Sequence, residues 1–217
     1  MKVVPLEQLP ARLQHLPEEP RIIASGNFAA PLALLSTLDA ALPTYRLHML
    51  NAQPGIPDRE GVVHETAFVG PGMRHSPRLA YIPCRLSLVP VLFHRYARPD
   101  IVVLHTSLPH EGMVSLGVEV NVMPAAIEAA RRRGALVIAQ ANPRMPYTYG
   151  DAQVDVDDID LMVEVDAPMA THTPADPDAI SRQIGDRIAA QVCDGSTLQL
   201  GIGAIPDAVL ASLTEHR

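Results

Sequence analysis

A chain of 217 residues, 47% of them hydrophobic, can bury a substantial core, as one large domain or two small ones. A net charge of −7 without a basic patch argues against nucleic acid as a partner, and no apolar run reaches the ~18 residues of a membrane span. Met1–Pro10 lacks the apolar stretch of a signal peptide, and Cys84 and Cys193 stand far apart outside any CxxC, so a cytoplasmic protein with free thiols is expected.

The 21 prolines predict many short elements joined by proline-stopped loops. Leu6–Leu16 predicts a short amphipathic helix between Pro5 and Pro17. Arg21–Ser25 reads as a strand; Gly26-Asn27 then turns into a helix over Ala30–Leu42, with Pro31 in its first turn. Tyr45–Leu50 and Val62–Val69 are further strand candidates, and Gly70-Pro71-Gly72 breaks the second. Pro77, Pro83 and Pro90 exclude a long helix over 74–93, leaving a short helix near His75–Leu79, a strand near Ala80–Ile82 and a helix near Leu86–Phe93.

Asp100–Thr106 is the clearest buried strand, with four apolar residues in a row, as strands of a parallel sheet look. Ser107–Gly112 is the loop at its exit. Val122–Arg133 predicts a helix whose Arg131-Arg132-Arg133 end complements the dipole and whose stop is Gly134. Ala135–Gln140 is the next strand, followed by the rigid loop Asn142–Gly150, and Ile159–Val165 is another. Ala167–Pro177 is a Pro/Thr-rich connector and a candidate boundary; Ile180, Ile184, Ile188 and Val192 then mark a helix over Asp178–Cys193.

Gly195-Ser-Thr-Leu-Gln-Leu-Gly-Ile-Gly-Ala-Ile-Pro206 follows. Thr197–Leu200 alternates as a short strand, Gly201 and Gly203 give a turn with bare N–H groups, and Pro206 suits a helix start. Strand, glycine turn and helix start together suit an anionic or carbonyl oxygen; an ordinary tight turn is the plainer alternative. Neither the dinucleotide fingerprint nor the phosphate-loop pattern is satisfied.

Alternating strands and helices predict an α/β fold with a mostly parallel sheet flanked by helices. Ligands of such sheets bind beyond the C-terminal strand ends. Four loops fall there, Gly26-Asn27, Ser107–Gly112, Asn142–Gly150 and Gly201–Pro206, and they are expected to meet at one cleft. A strand–helix unit in a parallel sheet calls for a following strand, so the chain is expected to be the first half of a longer or split protein.

Asp194–Leu210 resembles the signature of the acetyl-CoA hydrolase/transferase family. Tyr81-Ile-Pro83 with Leu86-Ser87, Ser115-Leu-Gly117, Ile138–Pro143 with Met145-Pro146 and Gly150-Asp151, and Asp158–Val165 are similar to that family in the same order, from about Arg21 onward. The resemblance implies the fold of a family I CoA-transferase N-terminal domain over 21–217, preceded by an N-terminal arm over 1–20, with the C-terminal catalytic half absent.

It also implies transfer of coenzyme A between an acyl-CoA and a carboxylic acid through a glutamyl-CoA thioester, with coenzyme A as substrate, no covalently bound cofactor and no metal. Acyl-CoA hydrolysis and a non-catalytic CoA-binding module are the alternatives. The implied partners are acyl-CoA, a small carboxylic acid, the C-terminal half and further copies in a homo-oligomer. Gln199, Gly201 and Gly203 are implied as oxyanion and support residues; Gly26, Asn27, Asn142 and Met145 as substrate-binding; Ile202, Ala204 and Ile205 as CoA-binding. The family's nucleophilic glutamate falls beyond residue 217, and Glu215 belongs to the helix before it.

Three positions depart from the family: Ala30 stands where many members have an acidic residue, Ser107–Gly112 is shorter than usual, and Tyr147 replaces a common Arg. A metal site at His105 with His110-Glu111 is the first rival reading, but it lacks a strong ligand spacing; a serine hydrolase lacks its Gly-x-Ser-x-Gly.

Overall fold

A computed structural model describes residues 1–171 and 176–217. Its elements in chain order are β1 (Lys2–Val3), β2 (Arg21–Ala24), α1 (Leu32–Ala41), β3 (Tyr45–His48), β4 (Val62–Thr66), β5 (Leu79–Tyr81), α2 (Val89–Arg95), β6 (Ile101–Thr106), β7 (Met113–Ser115), α3 (Met123–Arg133), β8 (Leu136–Ala141), β9 (Gln153–Asp155), β10 (Leu161–Glu164), α4 (Ala179–Ala189) and α5 (Ala204–Ser212). The chain divides into two compact units, Met1–Ala170 and Thr171–Arg217. The connector expected over Ala167–Pro177 lies partly outside the described residues. Among the described residues, no helix is long and apolar enough to cross a membrane.

The first unit is built on an eight-stranded sheet in the order β1-β10-β8-β6-β2-β3-β4-β5. Every pairing in it is parallel. β6 lies near its middle and is buried along its whole length, which explains its unbroken apolar run. Its side chains serve two cores by alternation. Val102 and Leu104 pack with Phe93 of α2 and Met123 and Ile127 of α3. Ile101 and Val103 pack with Leu34, Leu35 and Leu38 of α1. Helices therefore cover both faces, as the sequence predicts.

Strand order sets the position of the site. From β2 the chain steps outward through β3, β4 and β5; from β6 it steps the other way through β8 and β10. The order reverses between β2 and β6, so a crevice opens at their C-terminal ends.

Several elements differ from expectation. Leu6–Leu16 forms two short 3-10 turns, Leu6–Gln8 and Pro10–Arg12, because Pro10 has no N–H to continue a helix. The residues before them add β1 at the sheet edge, paired with β10. No helix forms over His75–Leu79; turns lead into β5. A small antiparallel pair, β7 with β9, was not predicted, since three residues carry too little alternation to read. Thr197–Leu200 has no ladder partner among the described residues and is exposed, so it is not a strand here. Helix α5 begins at Ala204, which makes Pro206 its third residue rather than its first. A proline is tolerated there because first-turn amides lack intrahelical partners anyway.

Candidate functional site

The crevice at the ends of β2 and β6 is lined by polar groups that the sheet would not otherwise bury. Ser25 follows β2 and is fully buried; its Oγ accepts from the His105 amide at 3.2 Å. At Gly26 a Cβ would lie 2.0 Å from the Leu50 carbonyl oxygen, so only glycine lets the two chain segments approach this closely. Asn27 and Asn51 both adopt φ of 47°. The Asn51 side-chain amide donates to Asn27 Oδ1 at 3.1 Å. Glu119 is buried, and burial pushes its carboxyl above the ordinary glutamate range, against the lowering effect of Asn121, whose Nδ2 donates to it at 3.3 Å, and of Asn27.

His105 is the hub of a second, drier cluster. Gln140 Oε1 accepts the Leu34 amide at 3.1 Å, in the first turn of α1. That turns Gln140 Nε2 toward His105 Nε2 at 3.3 Å. Asn142 Oδ1 accepts the Arg144 amide at 3.0 Å, which turns its Nδ2 toward the same nitrogen at 3.1 Å. Two amide donors converge on His105 Nε2, so this nitrogen is an acceptor, and the ring proton sits on Nδ1, 3.2 Å from the Ala29 carbonyl oxygen. Burial holds the His105 pKa below its ordinary value, against the raising effect of that carbonyl. The imidazole is neutral.

Above this cluster lies a cavity of about 270 Å³, walled by Phe28, Leu32, Pro54 and Pro168, with His105 and Gln140 in its lining. A larger cavity of about 400 Å³ sits at the opposite end of the sheet, among Arg12, His15, Asp100, Arg131, Arg133 and Asp160. The smaller one is the better candidate, because it lies at the strand-order reversal, where α/β sheets bind ligands.

Asn142 is fully buried, and its Nδ2 also donates to the Ala167 carbonyl at 2.9 Å. Met145 is buried against Gly117, where a Cβ would lie 2.1 Å from the Met145 sulfur. The Ser107 loop is tied back through Ser107 Oγ, which accepts the Ser115 amide at 2.9 Å. Ser115 Oγ in turn holds Thr148 and Gly117. The first three of the four predicted loops thus belong to the first unit, and the exits of β2, β6 and β8 are joined through His105. His110 and Glu111 are exposed, with His110 edge-on to Tyr147, so they do not gather with the buried His105.

Residue-by-residue reading missed Gln140, Glu119 and Ser25. Gln140 left a signal: a lone polar residue inside the apolar run of β8.

The second unit holds the remaining predicted residues. Asp178 caps α4 by accepting the Ser181 amide at 2.7 Å. Helices α4 and α5 meet where a Cβ on Gly185 would lie 2.7 Å from the Ala208 carbonyl oxygen. Gly203 precedes α5 with φ of 125°, and among the described residues neither it nor Gly201 has any neighbour where a Cβ would stand. Among the described residues, the amides of Ala204 and Ile205 meet no acceptor. Gln199 is exposed, and Ile202 is 99% exposed.

Comparison with known proteins agrees with this architecture. The model of the acetyl-CoA hydrolase/transferase N-terminal domain matches residues 27–172. The chain is 34% identical to a 4-hydroxybutyrate coenzyme A transferase of Clostridium kluyveri, over 100% of this chain and 52% of that protein. It is 33% identical to a succinyl-CoA:acetate/propanoyl-CoA:succinate CoA transferase of Fasciola hepatica, over 90% of this chain and 43% of that protein. A crystal structure of 4-hydroxybutyrate CoA-transferase from Porphyromonas gingivalis superposes with a TM-score of 0.77 at 27% identity, covering 100% of this chain and 52% of that one. The chain spans about half the length of the curated relatives it matches. On the family match over most of its length and the relatives named, the chain belongs to the acetyl-CoA hydrolase/transferase family.

Proposed function

We propose that the chain is the N-terminal half of a CoA-transferase, which moves coenzyme A between an acyl-CoA and a carboxylic acid. In this reading a glutamate on polypeptide beyond Arg217 attacks the acyl thioester and expels CoA thiolate, leaving a mixed anhydride. The thiolate then attacks the glutamyl carbonyl, releasing the acyl group as a carboxylate and leaving a glutamyl-CoA thioester. A second acid takes the CoA by the reverse steps.

This chain contributes binding and charge stabilisation. The open amides of Ala204 and Ile205, beyond Gly201 and Gly203, are donors for the oxyanion that develops on the attacked carbonyl, a contribution on the order of 3 kcal/mol. Gln199 supports that oxygen, and Ile202, Ala204 and Ile205 lie along the CoA. Gly26 and Asn27 form the substrate loop. Asn142 and Met145 act from behind it, since both are buried.

The neutral polar cluster at the reversal of strand order carries the reading. Ligand pockets are mostly apolar with a few placed polar groups, and His105 and Gln140 stand in the lining of this apolar cavity. The test mixes the chain with butyryl-CoA and isotopically labelled acetate, with and without a polypeptide carrying the C-terminal half. Label should enter CoA ester only in the mixture. Release of free CoA without labelled ester would make the protein a hydrolase. Exchange by the chain alone would defeat the assignment of the nucleophile.

A further inference from the structure

We infer that the cavity beside His105 takes the uncharged tail of a monocarboxylic acyl group and turns away dicarboxylic ones. The inference rests on the transferase reading for the identity of the ligand, and on the cavity alone for its charge.

Among the described residues, the walls hold no Lys, Arg, Asp or Glu. Ala30 and Ala33 stand among them with no charge of their own. A carboxylate taken into such a space loses its water, and only a cation or several N–H donors replace it.

Among the described residues, two sources of positive charge border the cavity, and both are spent inside the protein. The first is the start of α1, which borders the cavity through Leu32 and Ala33. Pro31 has no N–H, the Leu32 amide turns back to the Ala30 carbonyl at 3.0 Å, and the Leu34 amide is taken by Gln140 Oε1 at 3.1 Å. Ala33 alone is left, and one amide does not hold an ion. The second source is His105. A proton on its Nε2 would face the N–H groups of Gln140 and Asn142, donor against donor. Neither amide can turn over to relieve this, because the Leu34 and Arg144 amides pin their oxygens. The network holds the floor of the cavity neutral.

The spare hydrogen on Gln140 Nε2, the Ala33 amide and the Gln53 side-chain amide, one of whose hydrogens goes to the Asn51 carbonyl at 3.0 Å, remain as neutral donors, suited to a hydroxyl or carbonyl oxygen on the tail.

The test uses the full 217-residue chain, with isotope labels on the His105 imidazole and the Gln140 side-chain amide, titrated at pH 7 with butyrate, monomethyl succinate and succinate. Monomethyl succinate has nearly the size of succinate without its second charge. Butyrate and monomethyl succinate should move both signals in a saturable way, with succinate weaker by on the order of 100-fold. Ala33→Arg should narrow that gap at least tenfold; the wild-type comparison stands even if this variant folds poorly. Equal responses to succinate and butyrate, or silence to all three, would overturn the inference. The exchange assay judges the transferase reading separately: exchange that accepts succinate as readily as butyrate leaves that reading intact and removes this one.

Discussion

His105 Nε2 lies 3.1 Å from Asn142 Nδ2, and the orientation of that amide is set from the other side by the Arg144 backbone N–H. The pair converts a residue that ordinarily titrates near neutrality into a fixed hydrogen-bond acceptor. Asn142→Asp should reverse this. A carboxylate there would accept from the ring, and His105 should then carry charge at pH 7, whereas in the wild type it stays neutral with its proton on Nδ1. Imidazole nitrogen shifts followed from pH 8 to 5 read the difference directly.

His48, on β3, is buried edge-on to Phe93, and neither of its ring nitrogens has a hydrogen-bond partner among the described residues. Burial brings its pKa down to about 4. The unfolded chain binds this proton near pH 6.5, so stability is full above that value and falls as the pH drops toward 4. The loss should total about 3 kcal/mol. His48→Leu should flatten this slope and raise stability at pH 5, as read by urea denaturation at pH 7 and 5.

Glu65 should act in a different window. Burial alone would raise its pKa, but hydrogen bonds from Arg21 and Arg46, with Nε and Nη1 at 2.8 and 3.0 Å, bring it below the ordinary glutamate range. Its contribution is present above that range and is lost only as the pH falls through the lowered value. Glu65→Leu leaves two partly buried guanidinium groups without their acid and should cost about 3 kcal/mol at pH 7, measured by chemical denaturation.

Gly26→Ala should cost about 3 kcal/mol, because the new methyl meets the Leu50 carbonyl oxygen at 2.0 Å and the Gly26-Asn27 loop must shift to admit it. Thermal unfolding measures the loss. The Asn27 and Asn51 side-chain signals should move with it, since their 3.1 Å contact bridges the same two segments.

Much of the fold was legible because burial on both faces writes an unbroken apolar run into a central strand. β6 and β8 read directly, and the glycine and proline punctuation placed α1 and α3 within two residues of their observed starts. Short elements were not legible: β1 has two residues, β7 and β9 three each, too few for a period to show. Thr197–Leu200 failed for the opposite reason. Its alternation is real, but a strand exists only against a partner, and none of the described residues supplies one.

The site divides in the same way. The loops that hold Asn27 and Asn142 read directly as loops after strands, but the choice of those two residues came from the family resemblance. The role of Gln140 depends on the Leu34 amide, 106 residues away in sequence, and no local pattern encodes that pairing. Ile180, Ile184 and Ile188 mark α4 but not its buried face, which is Ser181, Gly185 and Ala189, and Val192 lies past its end. Close contact with α5 at Ala208 selected small residues there.

The central claim is that this chain binds and polarises the thioester while the attacking carboxylate comes from elsewhere. Intact-mass spectrometry of the chain mixed with a polypeptide carrying the C-terminal half, quenched in acid after addition of butyryl-CoA, tests it most directly. The account predicts a CoA adduct on a glutamate of the added polypeptide and none on residues 1–217. A CoA adduct on this chain, at Glu215 or any other carboxylate, would contradict it.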